Sequence, residues 1–350
     1  MALDNRSAAS VSVVIPTHDR RELLARLLTR LESLHRGGSP FEVVVVIDGS
    51  TDGTAEMLSA RSPDYPLRVI AQTQRGPAAA RNAGLRAATG DVVVFLDDDV
   101  LPHDRLIDHH LDVHQAHPSA VVMGVIAASP ERPLAPWHDW RAAYHEKLNA
   151  EILAGRVPPS WRRFYTGNAS ARRRDALAAG GFDEDLRRAE DVEFAHRLAT
   201  RGSTFHFATG AVVYHEGVER TLEGALRLAF EDGRHEVLLE RRIGADAADF
   251  LREEWPKRHA INRLLARWCV GHPLRTKAVV GTLAPVVNRT PGARRLRSRI
   301  CSALFGVMYW AGVADATGLG ARLWDVLERP SGANGRAGSG VEVVAADDRR

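Results

Sequence analysis

The sequence predicts an α/β protein: a mostly parallel sheet covered on both faces, then an all-helical C-terminal extension. Three features predict it. Short β-branched runs alternate with helical patterns through the first half of the chain, as in strands joined by crossover helices. The run Val92–Leu96 is apolar at every position, which a strand buried on both faces requires. From Glu219 onward the apolar residues fall at helical spacing.

Val11–Ile15 is a buried-strand run closed by Pro16. Arg20–Leu34 places Leu23, Leu24, Leu27, Leu28, Leu31 and Leu34 on one helical side. Phe41–Ile47 is a second strand, and Asp48–Gly53 a turn in which Thr51 or Asp52 caps a short helix, Thr54–Ala60. Leu67–Ala71 is a third strand, Gly76–Ala88 an Ala-rich helix stopped by Gly90, and Val92–Leu96 a fourth strand. Residues 129–165 mix prolines with Trp137, Trp140, Tyr144, Trp161, Phe164 and Tyr165, and read as an irregular surface excursion or binding loop. Helices over Arg172–Ala179 and Ala189–Thr200 and a strand over Thr204–Tyr214 complete a domain of residues 10–218. Helices over 219–242, 246–269, 275–287, 293–313 and 319–328 make a second region, 219–329. Residues 1–9 and the Gly-, Ala- and Ser-rich tail 330–350 are expected to be disordered.

Composition narrows the function classes. The 350 residues are 45% hydrophobic and 26% charged, with a formal net charge of +3, the profile of an ordinary globular protein and no argument for a nucleic-acid binder. Two cysteines, Cys269 and Cys301, make neither a disulfide framework nor a Cys-only zinc site, so a cytoplasmic location is expected. Residues 1–10 lack the apolar core of a signal peptide. The longest near-apolar stretch, Ile300–Ala314, reads as too short to span a bilayer.

The sharpest chemical feature is Asp97-Asp98-Asp99 at the end of the fourth strand. Three adjacent carboxylates repel one another, so burying them requires a cation. Open α/β sheets bind ligands beyond the carboxyl ends of their strands, and hard oxygen ligands suit Mg²⁺ or Mn²⁺ with substrate phosphates. A solvated acidic turn is the plainer reading. Asp48, in Asp48-Gly-Ser-Thr-Asp-Gly-Thr54, emerges at the same edge, although a Gly-rich turn explains that segment too. Arg75 and Arg81, in Arg75-Gly-Pro-Ala-Ala-Ala-Arg81, suit a diphosphate, or are surface arginines. Glu190-Asp-Val-Glu193 opens a helix, where acids also serve simple capping. His215 ends the last strand. His110, His114 and His117 share a helical face at metal-compatible spacing, against the commoner reading of core-edge histidines.

Together the ordered segments Val13–Arg20, Val46–Thr54, Gly76–Gly84, Phe95–Asp99, Gly167–Ser170, Gly180–Glu184 and Glu190–Glu193 resemble the family 2 glycosyltransferases, over about residues 10–218. The resemblance implies a GT-A fold, a Rossmann-like mixed sheet that binds a nucleoside diphosphate sugar. It implies donor contacts from Pro16, Thr17, His18, Asp48, Arg75, Arg81, Asp97 and Asp98, with Asp48 on the base, usually uracil. It implies Mn²⁺ or Mg²⁺ on Asp99, with Asp97 and His215 as further ligands. Asp191 would be the catalytic base, and Glu190, Trp161 and Asn168 would face the acceptor, a hydroxyl of a glycan, lipid or small molecule. One base and a direct displacement imply inversion. Ile47 replaces an acidic residue that the family often has beside Asp48, and His18 stands where a stacking residue is placed. The string Leu264-Leu-Ala-Arg-Trp268 lacks the Gln of chain-extending synthases, so transfer of one sugar per encounter is expected.

Two rival classes stand. A nucleotidyltransferase would open with a Gly-rich phosphate loop where this chain has Pro16-Thr-His-Asp-Arg20. A non-catalytic nucleotide-sugar binder would have no need of Asp99 and Asp191 together.

The net charge is unevenly placed. Trp255–Ala314 has no Asp or Glu and 11 Lys or Arg, leaving −8 for the rest of the chain. With Leu304–Trp310 and apolar helix faces beside them, these cations fit an anionic membrane surface met through residues 255–314, on a protein peripheral to the inner face of the cell membrane. A packed helical subdomain with a basic solvent face fits equally.

Overall fold

The computed structural model describes residues 10–129, 135–216, 221–245, 247–289 and 294–328. The two segments expected to be disordered, 1–9 and 330–350, lie outside these residues. The chain forms two compact units, one of residues up to 133 with 141–218 and one of residues 134–140 with 219 onward.

The first unit runs β1 (Val11–Thr17), α1 (Arg21–Gly37), β2 (Glu42–Asp48), α2 (Thr54–Ser59), β3 (Leu67–Gln72), α3 (Pro77–Ala87), β4 (Val92–Leu96), β5 (Val100–Pro102), α4 (Leu106–Ala116) and β6 (Ala120–Ala128). After α5 (Pro136–Leu153), which begins in the second unit, come β7 (Asn168–Arg172), α6 (Arg173–Ala178), α7 (Glu190–Thr200) and β8 (Thr204–His215). The eight strands form one sheet in the order β3-β2-β1-β4-β7-β6-β8-β5. β3, β2, β1 and β4 are parallel, whereas β7 is antiparallel to β4 and β6. Asp48 and the residues just after β1 and β4 therefore emerge along one edge.

Alternation along the strands builds two cores. Val13, Ile15, Val43 and Val45 face one side with Leu24, Leu27, Leu28 and Leu31 of α1. Val14, Val44, Val46 and Phe95 face the other, with Ala78 and Ala80 of α3 and Phe182 and Phe194 near α7. Burying each large apolar side chain contributes about 1.5–3 kcal/mol. Pro16 is tolerated in a central strand because the pairing of β1 with β4 ends at Val14.

The second unit contains α8 (Leu222–Arg242), α9 (Ala247–Glu254), α10 (Ala260–Cys269), α11 (Pro273–Arg289), α12 (Arg294–Thr317) and α13 (Leu323–Leu327). Trp255, Trp310 and Trp324 cluster, with Trp255 ring centroids 4.9 Å from Trp310 and 4.4 Å from Trp324. α8 and α12 touch backbone to backbone: a Cβ on Gly233 would lie 1.9 Å from the Tyr309 carbonyl oxygen, and one on Gly312 1.9 Å from that of Phe230.

Four expectations need correction. Residues 136–153 of the supposed irregular stretch are helical; they lack an apolar stripe, and the prolines flank the helix or start it. β6 and β7 arise where no strand is expected. The single helix over 246–269 is two, because Pro256 cannot continue α9. α12 exceeds the near-apolar stretch within it: among the described residues it is one helix long and apolar enough to cross a membrane, with half of that window buried in the protein.

Candidate active site

Two arginines organise the carboxylates at the sheet edge. The turn after β4 splays its three aspartates. Arg20, just after β1, donates through Nη1 to Asp98 Oδ1 at 2.9 Å and to Asp99 Oδ2 at 2.6 Å. Thr17 Oγ donates to Asp98 Oδ2 at 2.8 Å. Burial pushes the Asp98 carboxyl up to about 6, against the pull of Arg20 and with the push of Asp99. Asp99 is 6% exposed; its Oδ1 is buried without a hydrogen-bond donor, and His215 Nε2 lies 3.6 Å from its Oδ2. The backbone N–H of Glu216 donates to the Asp99 carbonyl at 2.7 Å, and Glu216 pairs with Arg26 at 2.8 Å. Asp99 and His215 are thus brought together.

Asp97 departs from the expected ligand trio. It accepts from Arg81 Nη2 at 2.8 Å, and among the described residues no three His, Cys, Asp or Glu side chains converge as a metal cage. Arg81 is 6% exposed and donates through Nη1 to Glu190 Oε1 at 2.7 Å. One guanidinium therefore ties the end of β4 to the first residue of α7. Asp191 follows. It keeps part of its surface open, yet the protein packed around it pushes its carboxyl up to about 7, Glu190 adding to the push and Arg81 opposing it. Ala189, immediately before the pair, has φ 60°, a left-handed conformation costly for alanine.

Asp48 is 5% exposed and anchors the loop before α3. Its Oδ1 accepts from Gln72 Nε2 and the Arg75 N–H, and its Oδ2 from the Gly76 N–H, each at 2.8 Å. A carboxylate offers about four acceptor positions, so Oδ2 retains one for a ligand. His18 is exposed, its Nδ1 2.7 Å from the Asp48 carbonyl. Pro16 lies in β1 against Val46. Arg75, exposed, pairs with Glu184 at 2.6 Å. Trp161 packs edge-on against His196 of α7, centroids 4.8 Å apart.

Asn168 does not face an acceptor. It is 1% exposed: Oδ1 contacts His110 Nε2 at 2.9 Å, and Nδ2 donates to the carbonyls of Val125 and Ala211. All its polar atoms are engaged, so its place is structural. The same network settles His110 and His114, both within hydrogen-bond distance of Ser170 Oγ, while His117 stacks on His206 at 4.0 Å.

Sequence reasoning missed Arg20, Asn82 and Glu216. Asn82 exchanges hydrogen bonds with the backbone of Phe182 and donates to Glu184 Oε1, fixing the loop that leads to α7. Arg20 had a signal, being a cation beyond the carboxyl end of β1.

A mixed sheet with aspartates at the ends of its parallel strands and an acidic pair opening a helix at the same edge defines the GT-A class. Residues 12–181 match the family described as Glycosyl transferase family 2, so just under half of the chain is similar to that family. It is 32% identical over 220 residues to a validoxylamine A glucosyltransferase of Streptomyces hygroscopicus subsp. limoneus, covering 55% of this chain and 48% of that protein. It is 31% identical over 239 residues to a pre-mycofactocin glycosyltransferase of Mycobacterium tuberculosis, covering 65% and 47%. The chain thus spans about half the length of these curated relatives. Among solved structures it shares the fold of the mannosyltransferase PcManGT of Pyrobaculum calidifontis, in complex with GDP-Man and Mn²⁺: TM-score 0.59, 24% identity, 87% of this chain and 88% of that one.

Proposed function

We propose that the protein transfers a single sugar from a nucleoside diphosphate sugar to an acceptor hydroxyl, with inversion and with a divalent cation. The observation that carries this reading is the Arg81 bridge, which ties the donor-side Asp97 to Glu190 beside the base candidate Asp191.

A hydroxyl is a poor nucleophile until a carboxylate takes its proton. Asp191 is poised for that: a carboxyl near 7 is a stronger base than an ordinary aspartate and still ionises at neutral pH. Glu190, held by Arg81, keeps its own charge paired and positions its neighbour. Asp48 fixes the loop whose Arg75 would meet the diphosphate. The unpartnered Asp99 Oδ1 with the nearby His215 imidazole is a donor set that fits Mn²⁺ or Mg²⁺. Such an ion, when bound, offsets the negative charge of the diphosphate leaving group. The base remains open between UDP, the reading the resemblance carries, and GDP, seen with the mannosyltransferase neighbour.

Asp191→Asn is the test. It should lower transfer about a hundred- to ten-thousandfold while nucleotide sugar with Mn²⁺ still raises the melting temperature. Because the base acts ionised, wild-type kcat/KM should fall as pH drops below about 7. Unchanged turnover in the variant would remove Asp191 from this role. Screening UDP- and GDP-sugars in the thermal assay identifies the donor.

A further inference from the structure

At roughly 100° per residue, α10 has three distinct sides. Asn262, Leu265, Ala266 and Cys269 share one; Ala266 and Cys269 are buried, and Asn262 Nδ2 donates to Ser302 Oγ at 2.9 Å. Arg263 and Arg267 share the second. Ile261, Leu264 and Trp268, spaced i, i+3 and i+7, share the third, and they are 66%, 71% and 48% exposed. The start of α11 adjoins this third side. Arg275 donates through Nη1 to the Trp268 carbonyl at 3.3 Å, and its guanidinium carbon lies 5.6 Å from the Trp268 ring centroid. Leu274, one residue earlier, is 83% exposed.

Single exposed apolar residues are ordinary, but several large ones grouped together mark a surface that something covers. The charge around them says what kind. Of the 11 cations of Trp255–Ala314, Lys257 and Arg258 pair with Glu254, just before the segment, at 2.7 and 3.6 Å. Glu328 pairs with Arg267 at 2.5 Å and is the carboxylate lining the shallow depression beside Leu264. Arg275 and Lys277 are exposed. Aliphatic tips, a tryptophan with a cation on it and a basic flank are the composition of a helix lying in a lipid interface.

We propose that this face of α10, continued by the start of α11, seats on an anionic lipid bilayer. Ile261, Leu264 and Leu274 enter the acyl boundary, Trp268 lies at headgroup depth, and Arg263, Arg275 and Lys277 meet lipid phosphates. The surface is an open ridge with a basic flank, which suits a fluid anionic sheet better than a shaped protein groove.

Flotation of the full-length chain tests this, with vesicles of phosphatidylcholine alone and of phosphatidylcholine with phosphatidylglycerol. The chain should float with the mixed vesicles at low salt and much less with the neutral ones. Leu264→Glu should reduce vesicle binding at least about tenfold with an unchanged melting temperature, since that side chain is outside the core. Arg263→Gln with Arg275→Gln should weaken binding and flatten its salt dependence. Three results overturn the proposal. One is no flotation with anionic vesicles at low salt. Another is flotation that survives both Leu264→Glu and high salt, which would assign attachment elsewhere, such as to α12. The third is a dimer in light scattering that Leu264→Glu makes monomeric, which would give the face to a second copy.

Discussion

In the sheet-bearing unit, Arg20 meets Asp98 and Asp99, Arg81 meets Asp97 and Glu190, and Arg26 meets Glu216. In the helical unit the 11 cations of Trp255–Ala314 face no acid of their own segment, and the interior is held by three tryptophans and a glycine crossing. The first unit places charge where water is scarce, so each group needs a specific partner. The second keeps most of its charge at the surface, with Glu240 of α8 a buried exception, and relies mainly on shape. A substitution should therefore fail in the first unit by stranding a charge, and in the second by a clash.

Arg81→Ala should show the largest effect. It strands Glu190, 7% exposed, without its counter-charge, and removing one partner of a buried pair costs about 3–5 kcal/mol. Urea unfolding reads this directly. Arg81→Lys should rescue only part, because an ammonium cannot reach both carboxylates in the geometry of a guanidinium fork. A loss below about 1 kcal/mol, typical of exposed pairs, would erase the contrast between the units.

Gly312→Ala is the counterpart in the helical unit. Its Cβ would sit 1.9 Å from the Phe230 carbonyl oxygen, a backbone atom that cannot turn aside. α8 and α12 must separate, at a cost of about 3 kcal/mol. Gly306, also on α12, has nothing within 4 Å of its Cβ position. Gly306→Ala should therefore be neutral or slightly stabilising through helix propensity. Equal melting temperatures for the two variants would show that the helices do not cross there.

Next in size is a pH effect inside the sheet-bearing unit. Burial holds His110 down to about 4 and His114 to about 3, both below the ordinary 6.5. Both are neutral in the fold, whereas the unfolded chain takes up protons below 6.5. Stability is therefore full above that pH and falls as pH drops toward 4 and then 3. With both in play the slope is on the order of 3 kcal/mol per pH unit, near the Gly312 effect over a single unit. Replacing both by Gln should flatten this part of the urea-unfolding profile, whatever the variant's absolute stability.

The difference between the units also explains what could be read from the sequence. Asp48, Asp97–Asp99, Asp191 and His215 stood out because acids and a histidine at strand and helix ends are chemically conspicuous. The residues that hold the site in place were less so: Arg20 carried only the weak signal of a cation beyond β1, while Asn82, on Phe182 and Glu184, and Glu216, on Asp99 and Arg26, acquire meaning only by contact. β7, Asn168–Arg172, has little strand character of its own and extends because β4 and β6 pair with it. Asn168, Ser170 and the two histidines form one network across 56 to 60 positions of the chain, which no local pattern records. In the helical unit, composition exposed the basic excess but not the stripe on α10, since exposure is decided by which sides of a helix its neighbours cover.

The smallest effect sharpens the contrast most. Arg75 pairs with Glu184 at 2.6 Å, as short as the Arg20–Asp99 contact, yet its side chain is 57% exposed and that of Glu184 30%. Distance alone would rank the pair with the buried ones. In solvent, the attraction is offset by side-chain entropy and screening, so Arg75→Ala should cost under about 1 kcal/mol. If Arg75 meets the donor diphosphate, the same variant should raise the donor KM well beyond that small change in stability and leave the acceptor KM alone. An Arg75→Ala protein that is strongly destabilised, with donor affinity intact, would mean that the pair is a structural strut, and that exposure does not separate the functional arginines of this unit from its structural ones.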